Sequence, residues 1–184
     1  MRVLSYSVCV LPKLDNQEEV RRLRERYDPW FYQVQPYIVV VPSFTPATLD
    51  ELEAVSAFLS QARRKQPPVA LKFFRCVERG DRLICPVESG REELAALHRA
   101  MSGATPDRLL TGEEAFDPGM VVCRVPDPDR RIEALQEANR IGRTVGLVDA
   151  VSLVGIEPSG QLRLIAGYPF GIGRVDYFDL SAGA

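Results

Sequence analysis

Two short segments with the same layout, one in each half of this 184-residue chain, constrain its fold more than any other feature. The first is residues 35–44 (QPYIVVVPSF) and the second is residues 116–125 (FDPGMVVCRV). In each segment a proline precedes a run rich in β-branched and other apolar side chains, which is the pattern of a largely buried β-strand. The shared layout predicts two related strands in the two halves of one fold.

Strand patterns and amphipathic helix patterns alternate along the rest of the chain. Capping residues mark three helix starts: Asp15 with Glu18, Thr45 before Pro46, and Asp127 before Pro128. The predicted strands are 3–11, 37–41, 69–77, 83–87, 120–125, 148–156 and 161–166, with a hairpin turn at Arg79-Gly80-Asp81. The resulting order, β-α-β-α-β-β-α-β-α-β-β, predicts an α+β fold of mostly antiparallel sheets around a central cleft, with the helices outside.

The length favours one domain over residues 1–184, built of two pseudo-symmetric halves, roughly 1–90 and 91–184. A chain of this size buries roughly 70% of the surface that its unfolded form exposes, so it can form a sizeable core without a metal or a disulfide. The sequence has no low-complexity linker between the halves. We therefore expect the halves to share a core.

The order and spacing of these elements resemble the 2H phosphoesterase family, which includes the 2′-5′ RNA ligase-like proteins and cyclic phosphodiesterases. In that family each of the two strands carries His-x-Thr or His-x-Ser after the proline. The two histidines face each other across a cleft and act on one phosphate as proton acceptor and proton donor. The resemblance implies the duplicated β-α-β halves of that family, with the cleft between them.

The chain departs from the family pattern at all four functional positions. Tyr37 and Gly119 stand at the two histidine positions. A phenol with a pKa of about 10 is a poor base at neutral pH, and glycine offers only its backbone. Val39 and Val121 stand at the hydroxyl positions and cannot hold phosphate oxygens. The resemblance therefore implies a family member that has lost catalysis and acts as a ligand-binding or regulatory protein.

The resemblance to the family also indicates which residues are expected at the cleft. They are the motif positions Tyr37, Val39, Gly119 and Val121, with Arg124 and Tyr168 as polar neighbours. A nucleotide, an RNA or another small ligand is the expected occupant. Because valine side chains make the surface of the cleft less polar than threonine or serine hydroxyls would, a less charged ligand or a protein partner also fits the sequence.

Two other functions stay open at this stage. One is an active RNA-end or cyclic-nucleotide phosphodiesterase with a rebuilt site of Tyr37, Arg124 and Asp117. The other is a structural or oligomer-forming protein with an aromatic interface at residues 30–32 (WFY), since aromatic anchors favour interface cores. A strand that enters the core is the more ordinary interpretation of those aromatic residues.

The remaining titratable residues give no sign of a metal site or cofactor. The only histidine, His98, lies in a helix pattern next to a core leucine, where we expect a structural or solvent-facing role. The four cysteines, Cys9, Cys76, Cys85 and Cys123, lie in apolar runs without a Cys-x-x-Cys pair. Buried, reduced thiols are the expectation for them. The expected cofactor and metal content is none.

The charge balance and the location complete the expectations. A net charge of −2 argues against a broad nucleic-acid surface but allows a local basic cleft. The arginines of residues 21–26 are expected to be a solvated helix surface, with phosphate binding as the alternative. Since the sequence shows neither a secretion-type leader nor a membrane span, we expect a cytoplasmic protein without membrane contact. The oligomeric state is left open.

Overall fold

The computed structural model describes residues 3–105 and 116–178 and shows strands and helices in the predicted alternation. The strands are β1 (Ser5–Val10), β2 (Lys13–Leu14), β3 (Ile38–Phe44), β4 (Val69–Phe73), β5 (Val77–Arg79), β6 (Arg82–Ser89), β7 (Gly119–Arg124), β8 (Thr144–Val148), β9 (Ala150–Ile156), β10 (Leu162–Pro169) and β11 (Asp176–Tyr177). The helices are α1 (Gln17–Tyr27), α2 (Leu49–Ala62), α3 (Arg91–Ser102) and α4 (Pro128–Ile141), and a short 3₁₀ helix covers Arg63–Lys65.

Two antiparallel sheets form the centre of the fold. One sheet has the strand order β11-β10-β9-β1-β3, and the other has β2-β8-β4-β6-β5 with β7 paired to β6. The sheets meet where Tyr37, just before β3, pairs with Val121 of β7. Every strand pairing in the described residues is antiparallel, which confirms the predicted α+β class.

The core is one cluster of buried apolar side chains to which both halves contribute. Phe44 and Phe73 come from the first half, and Met120 and Tyr168 from the second, each with at most 1% of its surface exposed. Helices α1, α2, α3 and α4 each supply buried residues to this cluster. Residues from both halves of the chain thus meet in one core, and the single domain over residues 1–184 stays a prediction.

The helix starts agree with the sequence prediction in one case of three. Asp127 caps α4, because its carboxylate accepts the N–H groups of Asp129 and Arg130. The start predicted for α2 is three residues too early, since Thr48 is the residue whose side chain accepts from Glu51 N–H at 3.2 Å. Thr48, two residues after Pro46, offers the same capping hydroxyl as Thr45 and is the residue that caps the helix.

The capping role predicted for Asp15 is wrong. Its carboxylate accepts the N–H of Val145 on β8 at 2.8 Å, and Asn16 precedes α1 without a side-chain capping bond. Asp15 thus ties the end of β2 to β8 across a sheet edge that the sequence did not predict. Strand β8 was missed because Gly146 interrupts a short apolar run. A β-carbon at that glycine would lie 3.1 Å from the Pro12 side chain, so the glycine permits close packing there.

The predicted hairpin is present, but its cysteines are not the reduced pair that we expected. Strands β5 and β6 pair Arg79 with Arg82, and Gly80 between them adopts a left-handed φ of +62°. Cys76 and Cys85 lie one residue beyond Val77–Ile84, the pair farthest from the turn, and form a disulfide. Their contact depends on strand register, which cysteine spacing alone does not reveal.

The other two cysteines, Cys9 and Cys123, are buried thiols, as expected. Burial raises the pKa of each to about 12. Within residues 3–105 and 116–178 no group of three or more histidine, cysteine or acidic side chains is placed to hold a metal ion. None of the helices described is both long enough and apolar enough to cross a membrane.

Candidate ligand-binding cleft

The two motif segments lie side by side at the seam between the sheets. Tyr37 N–H donates to the Val121 carbonyl at 3.2 Å, and Val121 N–H donates back to the Tyr37 carbonyl at 2.8 Å. Residues paired in this way project their side chains from the same face, and the antiparallel direction carries Val39 toward the Gly119 end of β7. The fold thus brings the four motif positions onto one surface.

Burial along β3 shows which way this surface faces. Ile38 and Val40 are fully buried in the core, whereas 37% of Val39 between them is exposed. Tyr37 is half-buried on the Val39 side. On β7, Met120 turns into the core and Gly119 is partly accessible. We call this face the floor: Tyr37 and Val121 on it line the cleft, whereas Val39 and Gly119 lie on the same face outside the cleft lining.

Strands β6 and β5 extend this floor with apolar side chains. Ile84 of β6 pairs with Val121 on one side and with Val77 of β5 on the other. Val77 is 38% exposed, close to the value for Val39. Four adjacent segments therefore present valine and isoleucine along the floor, and Val39, Ile84 and Val77 lie outside the cleft lining.

The second histidine position of the family pattern is filled from the neighbouring strand. A β-carbon on Gly119 would lie 2.5 Å from Ile84 Cγ2, a distance that real contacts do not reach. The Cγ2 methyl is attached at the branched β-carbon of Ile84, so it moves only with the whole side chain. Residue 119 must be glycine for this packing, and a larger residue there requires Ile84 to move.

One wall of the cleft comes from the loop at residues 28–36. The other comes from Gly160 in the turn between β9 and β10 and from Leu162 at the start of β10. Three arginines, Arg24, Arg82 and Arg124, line the same space together with one carboxylate, Asp28. The cavity has a volume of about 20 Å³, which is room for about one water molecule.

Arg124 is held in a fixed position at the rim. Its guanidinium carbon lies 3.8 Å from the centroid of the Trp30 ring, and its Nε donates to the carboxylate of Asp81 in the hairpin turn. A cation over an indole face is stabilised by the ring quadrupole. Arg124 therefore lies at the cleft with an existing carboxylate partner, Asp81.

A buried ion pair sets the position of Trp30. Arg24 donates to Asp28 at 2.8 and 3.0 Å, and the two side chains are 6% and 5% exposed. The other carboxylate oxygen of Asp28 accepts a hydrogen bond from the backbone N–H of Trp30 at 2.9 Å. The segment of residues 30–32 is a turn, so the prediction of a strand there is wrong. Tyr32, at 89% exposed, points to solvent.

Tyr37 is a proton donor in this environment. Burial raises the pKa of its phenol to about 12, and the nearby guanidinium groups of Arg82 and Arg124 only partly oppose that effect. The phenol therefore stays protonated at neutral pH. It can donate a hydrogen bond to an anionic ligand, but it cannot serve as a general base.

The chain's only histidine lies away from the cleft. His98 Nδ1 is 2.6 Å from the carbonyl of Val40, and its ring stacks on Phe116 with the centroids 4.4 Å apart. Val40 faces the core, on the opposite side of β3 from Val39. The placement agrees with the structural role expected for this histidine.

Two other residues named from the sequence lie elsewhere. Tyr168 is fully buried with its hydroxyl 2.7 Å from Ser56 Oγ on α2, and it is not part of the cleft lining. Asp117 forms ion pairs with Arg79 and Arg91, each at 3.0 Å, also outside the lining. These guanidinium groups lower the pKa of Asp117.

Sequence reasoning missed Arg24, Trp30 and Arg82 as cleft residues. Arg24 belongs to a helical arginine run that is typical of a solvated face. The one sequence feature that marks it is Asp28 four residues later, a spacing that places opposite charges together on a helix. Arg82 follows the hairpin turn, and its place at the cleft depends on sheet pairing.

Two antiparallel sheets that meet where Tyr37 pairs with Val121, with four helices packed on a shared core, define an α+β protein. The model of the 2′-5′ RNA ligase superfamily matches residues 12–158, most of the chain, and the chain belongs to that superfamily. The resemblance to the 2H phosphoesterases in the sequence is thereby confirmed.

Solved structures share the fold at low sequence identity. E. coli LigT in apo form is 12% identical with a TM-score of 0.59, over 93% of this chain and 99% of that one. TT0787 of Thermus thermophilus is 15% identical with a TM-score of 0.59, over 92% and 100%. Usb1 of Kluyveromyces marxianus is 10% identical with a TM-score of 0.59, over 92% and 99%. A comparison with curated protein sequences gives no significant match.

Proposed function

We propose that this protein is a non-catalytic member of the superfamily that binds an anionic ligand in the cleft without transforming it. The observation that carries the proposal is the absence of an acid–base pair from the motif positions. The sole histidine is bound to a core-facing strand residue, and Tyr37 has a pKa of about 12. Gly119 has no side chain, and Ile84 occupies the space where one would project.

The ligand is expected to combine a negative group with an apolar or planar body. Arg24 is paired with Asp28 and Arg124 with Asp81, so the third arginine of the lining, Arg82, leaves one positive charge in excess, which favours an anion despite the net charge of −2. Arg82 is the most available of them, because 45% of its side chain is exposed and its nearest carboxylate oxygen, on Asp81, is 3.9 Å away. The valine and isoleucine floor suits the apolar part of the ligand.

Mononucleotides are the first ligands to test. E. coli LigT has been crystallised with phosphate, with ATP, with NADP+ and with 3′-AMP, and its fold is similar at 11–13% identity. A mononucleotide offers an anionic phosphate for Arg82 and Tyr37 and a planar base for the apolar floor. A nucleotide is therefore the ligand class that we propose, and a cytoplasmic location remains an expectation from the sequence.

Trp30 supplies the readout for binding. It is the only tryptophan of the chain and lies on the cleft against Arg124, so its fluorescence reports on this site. We expect 3′-AMP to change this fluorescence saturably. Arg82→Gln should weaken the effect several-fold, because a charge-assisted hydrogen bond is lost. The matched control is Arg64→Gln, an exposed arginine beyond the cleft lining with the same change in charge. Equal affinities for the two variants would contradict the proposed site.

The alternative function is a phosphodiesterase with a rebuilt site of Tyr37, Arg124 and Asp117. Tyr37 and Arg124 both line the cleft, which is the observation that keeps this candidate. Against it, Asp117 is bound between Arg79 and Arg91, and Arg124 already has Asp81 as partner. Ring opening of a 2′,3′-cyclic nucleotide that is lost in Tyr37→Phe would favour the alternative.

A further inference from the structure

Three arginines lie directly opposite one another across three neighbouring strands. Arg79 of β5 pairs with Arg82 of β6, and Arg82 pairs with Arg124 of β7. Paired residues of antiparallel strands project from the same face, with β-carbons about 5 Å apart. Arg79, Arg82 and Arg124, the arginine row, therefore cross the sheet from the cleft rim to the outer strand β5.

The arginine row carries an unbalanced positive charge. Like charges directly opposite each other on a sheet are destabilising, so such a row needs compensation. Asp81 interacts with Arg124 and Arg82, and Asp117 is shared between Arg79 and Arg91. Two carboxylates thus face four guanidinium groups in this group of ion pairs.

The row is also accessible to solvent. Arg79 and Arg82 expose 52% and 45% of their side chains, and Arg124 exposes 24%. Exposed ion pairs contribute little to stability, so an incoming anion can replace a carboxylate partner at small cost. Guanidinium groups bind phosphate oxygens through two parallel hydrogen bonds, which favours phosphate among anions.

We infer that the arginine row is a binding site for a ligand with consecutive phosphate groups, which extends from the cleft across β6 to β5. The inference rests on the proposed function, because Arg82 and Arg124 line the cleft. It adds a second part to the site, at Arg79, which lies outside the cleft lining. One phosphate binds at the cleft end, and the following phosphates bind along the row.

Binding should therefore increase with the number of phosphates. The full chain is titrated with inorganic phosphate, a linear polyphosphate and a single-stranded oligonucleotide, each at several salt concentrations. We expect the longer ligands to bind more tightly than phosphate alone. Their affinity should fall with salt at a log–log slope that steepens by about 0.7 for each phosphate neutralised in a single strand.

The Arg79→Gln variant tests the arginine row without changing a residue of the cleft lining. We expect this variant to bind polyphosphate and the oligonucleotide several-fold more weakly. The log–log slope of their affinity against salt concentration should fall by about 0.7. The affinity for 3′-AMP, monitored by Trp30 fluorescence, should stay unchanged. Arg64→Gln, with the same change in charge, should affect none of these ligands. A preference for the oligonucleotide over polyphosphate would identify nucleic acid as the source of the phosphate chain, and equal binding would identify the phosphates alone. Both results support the row.

Three outcomes would overturn the inference. The first is equal affinity for phosphate and the longer ligands, and the second is an equal effect of Arg79→Gln and Arg64→Gln on the chain ligands. The third is an acidic peptide that binds as tightly as polyphosphate, since the row would then recognise charge without phosphate chemistry. In the first two cases, 3′-AMP binding that depends on Arg82 would leave the proposed cleft function intact. Failure of 3′-AMP to bind, with phosphate chains still sensitive to Arg79→Gln, would instead contradict the cleft proposal alone.

Discussion

Ile84 Cγ2 lies 2.5 Å from the point where a β-carbon on Gly119 would be placed. Position 119 is the one that the sequence resemblance aligns with the second histidine of the 2H phosphoesterases. It has no side chain, and Ile84 of β6 fills the space where one would project. The packing of Ile84 at this point therefore requires a glycine at position 119. A single Gly119→His substitution cannot restore the family geometry while Ile84 keeps its place.

Gly119→Ala should destabilise the protein by about 1–3 kcal/mol, because the added methyl overpacks the floor. Ile84→Ala removes the methyl that it would meet, so the cost of Gly119→Ala should be smaller in that background. Urea unfolding of the two single variants and the double variant gives the coupling energy. Additive free energies of unfolding would show that the two residues do not compete for space.

The phenol of Tyr37 should ionise near pH 12, because burial raises its pKa from 10.0 to about 12. The difference in absorbance at the phenolate band between the native protein and Tyr37→Phe isolates this one titration. Between these two pKa values the unfolded chain binds fewer protons than the folded chain, so stability falls as pH rises. A midpoint near pH 10 would show that the phenol of Tyr37 is solvated and that burial does not raise its pKa.

Asp28→Ala should destabilise the protein by about 3–5 kcal/mol, since it leaves Arg24 buried without its carboxylate. The same change removes the acceptor of Trp30 N–H. We therefore expect a lower urea midpoint together with altered tryptophan fluorescence before unfolding begins. A cost below about 1 kcal/mol would mean that Arg24 reaches solvent or another partner.

The denatured, unreduced protein should react with two equivalents of a thiol reagent, at Cys9 and Cys123. After reduction, all four cysteines should react. Cys76→Ser with Cys85→Ser should cost about 2–3 kcal/mol in stability, the value expected for closing a loop of this length. Four reactive thiols before reduction would instead agree with the reduced state predicted from the sequence.

The sequence predicted the two motif strands well because their apolar runs and prolines are local features. It also predicted the Asp127 cap and the turn at Gly80, which depend on neighbouring residues alone. It did not predict the Cys76–Cys85 disulfide or the cleft position of Arg82. Both depend on which residues face each other across β5, β6 and β7.

Tyr168 illustrates the same limit. The family resemblance named it as a polar neighbour of the motif positions, yet its hydroxyl lies 2.7 Å from Ser56 Oγ on α2 and the ring is fully buried. A buried tyrosine hydroxyl is stabilised by any nearby partner, and the sequence does not say which helix supplies it. The place of Trp30 also depends on a tertiary contact, the stacking of Arg124 on its ring.

Phosphorus NMR of the protein with a 2′,3′-cyclic nucleotide separates binding from catalysis, because one spectrum follows both line broadening and ring opening. The account predicts broadening of the ligand line, reduced in Arg82→Gln, with the cyclic phosphate intact after prolonged incubation. Ring opening by the native protein that disappears in Tyr37→Phe would contradict it and show that the cleft has kept phosphoesterase chemistry with a rebuilt site.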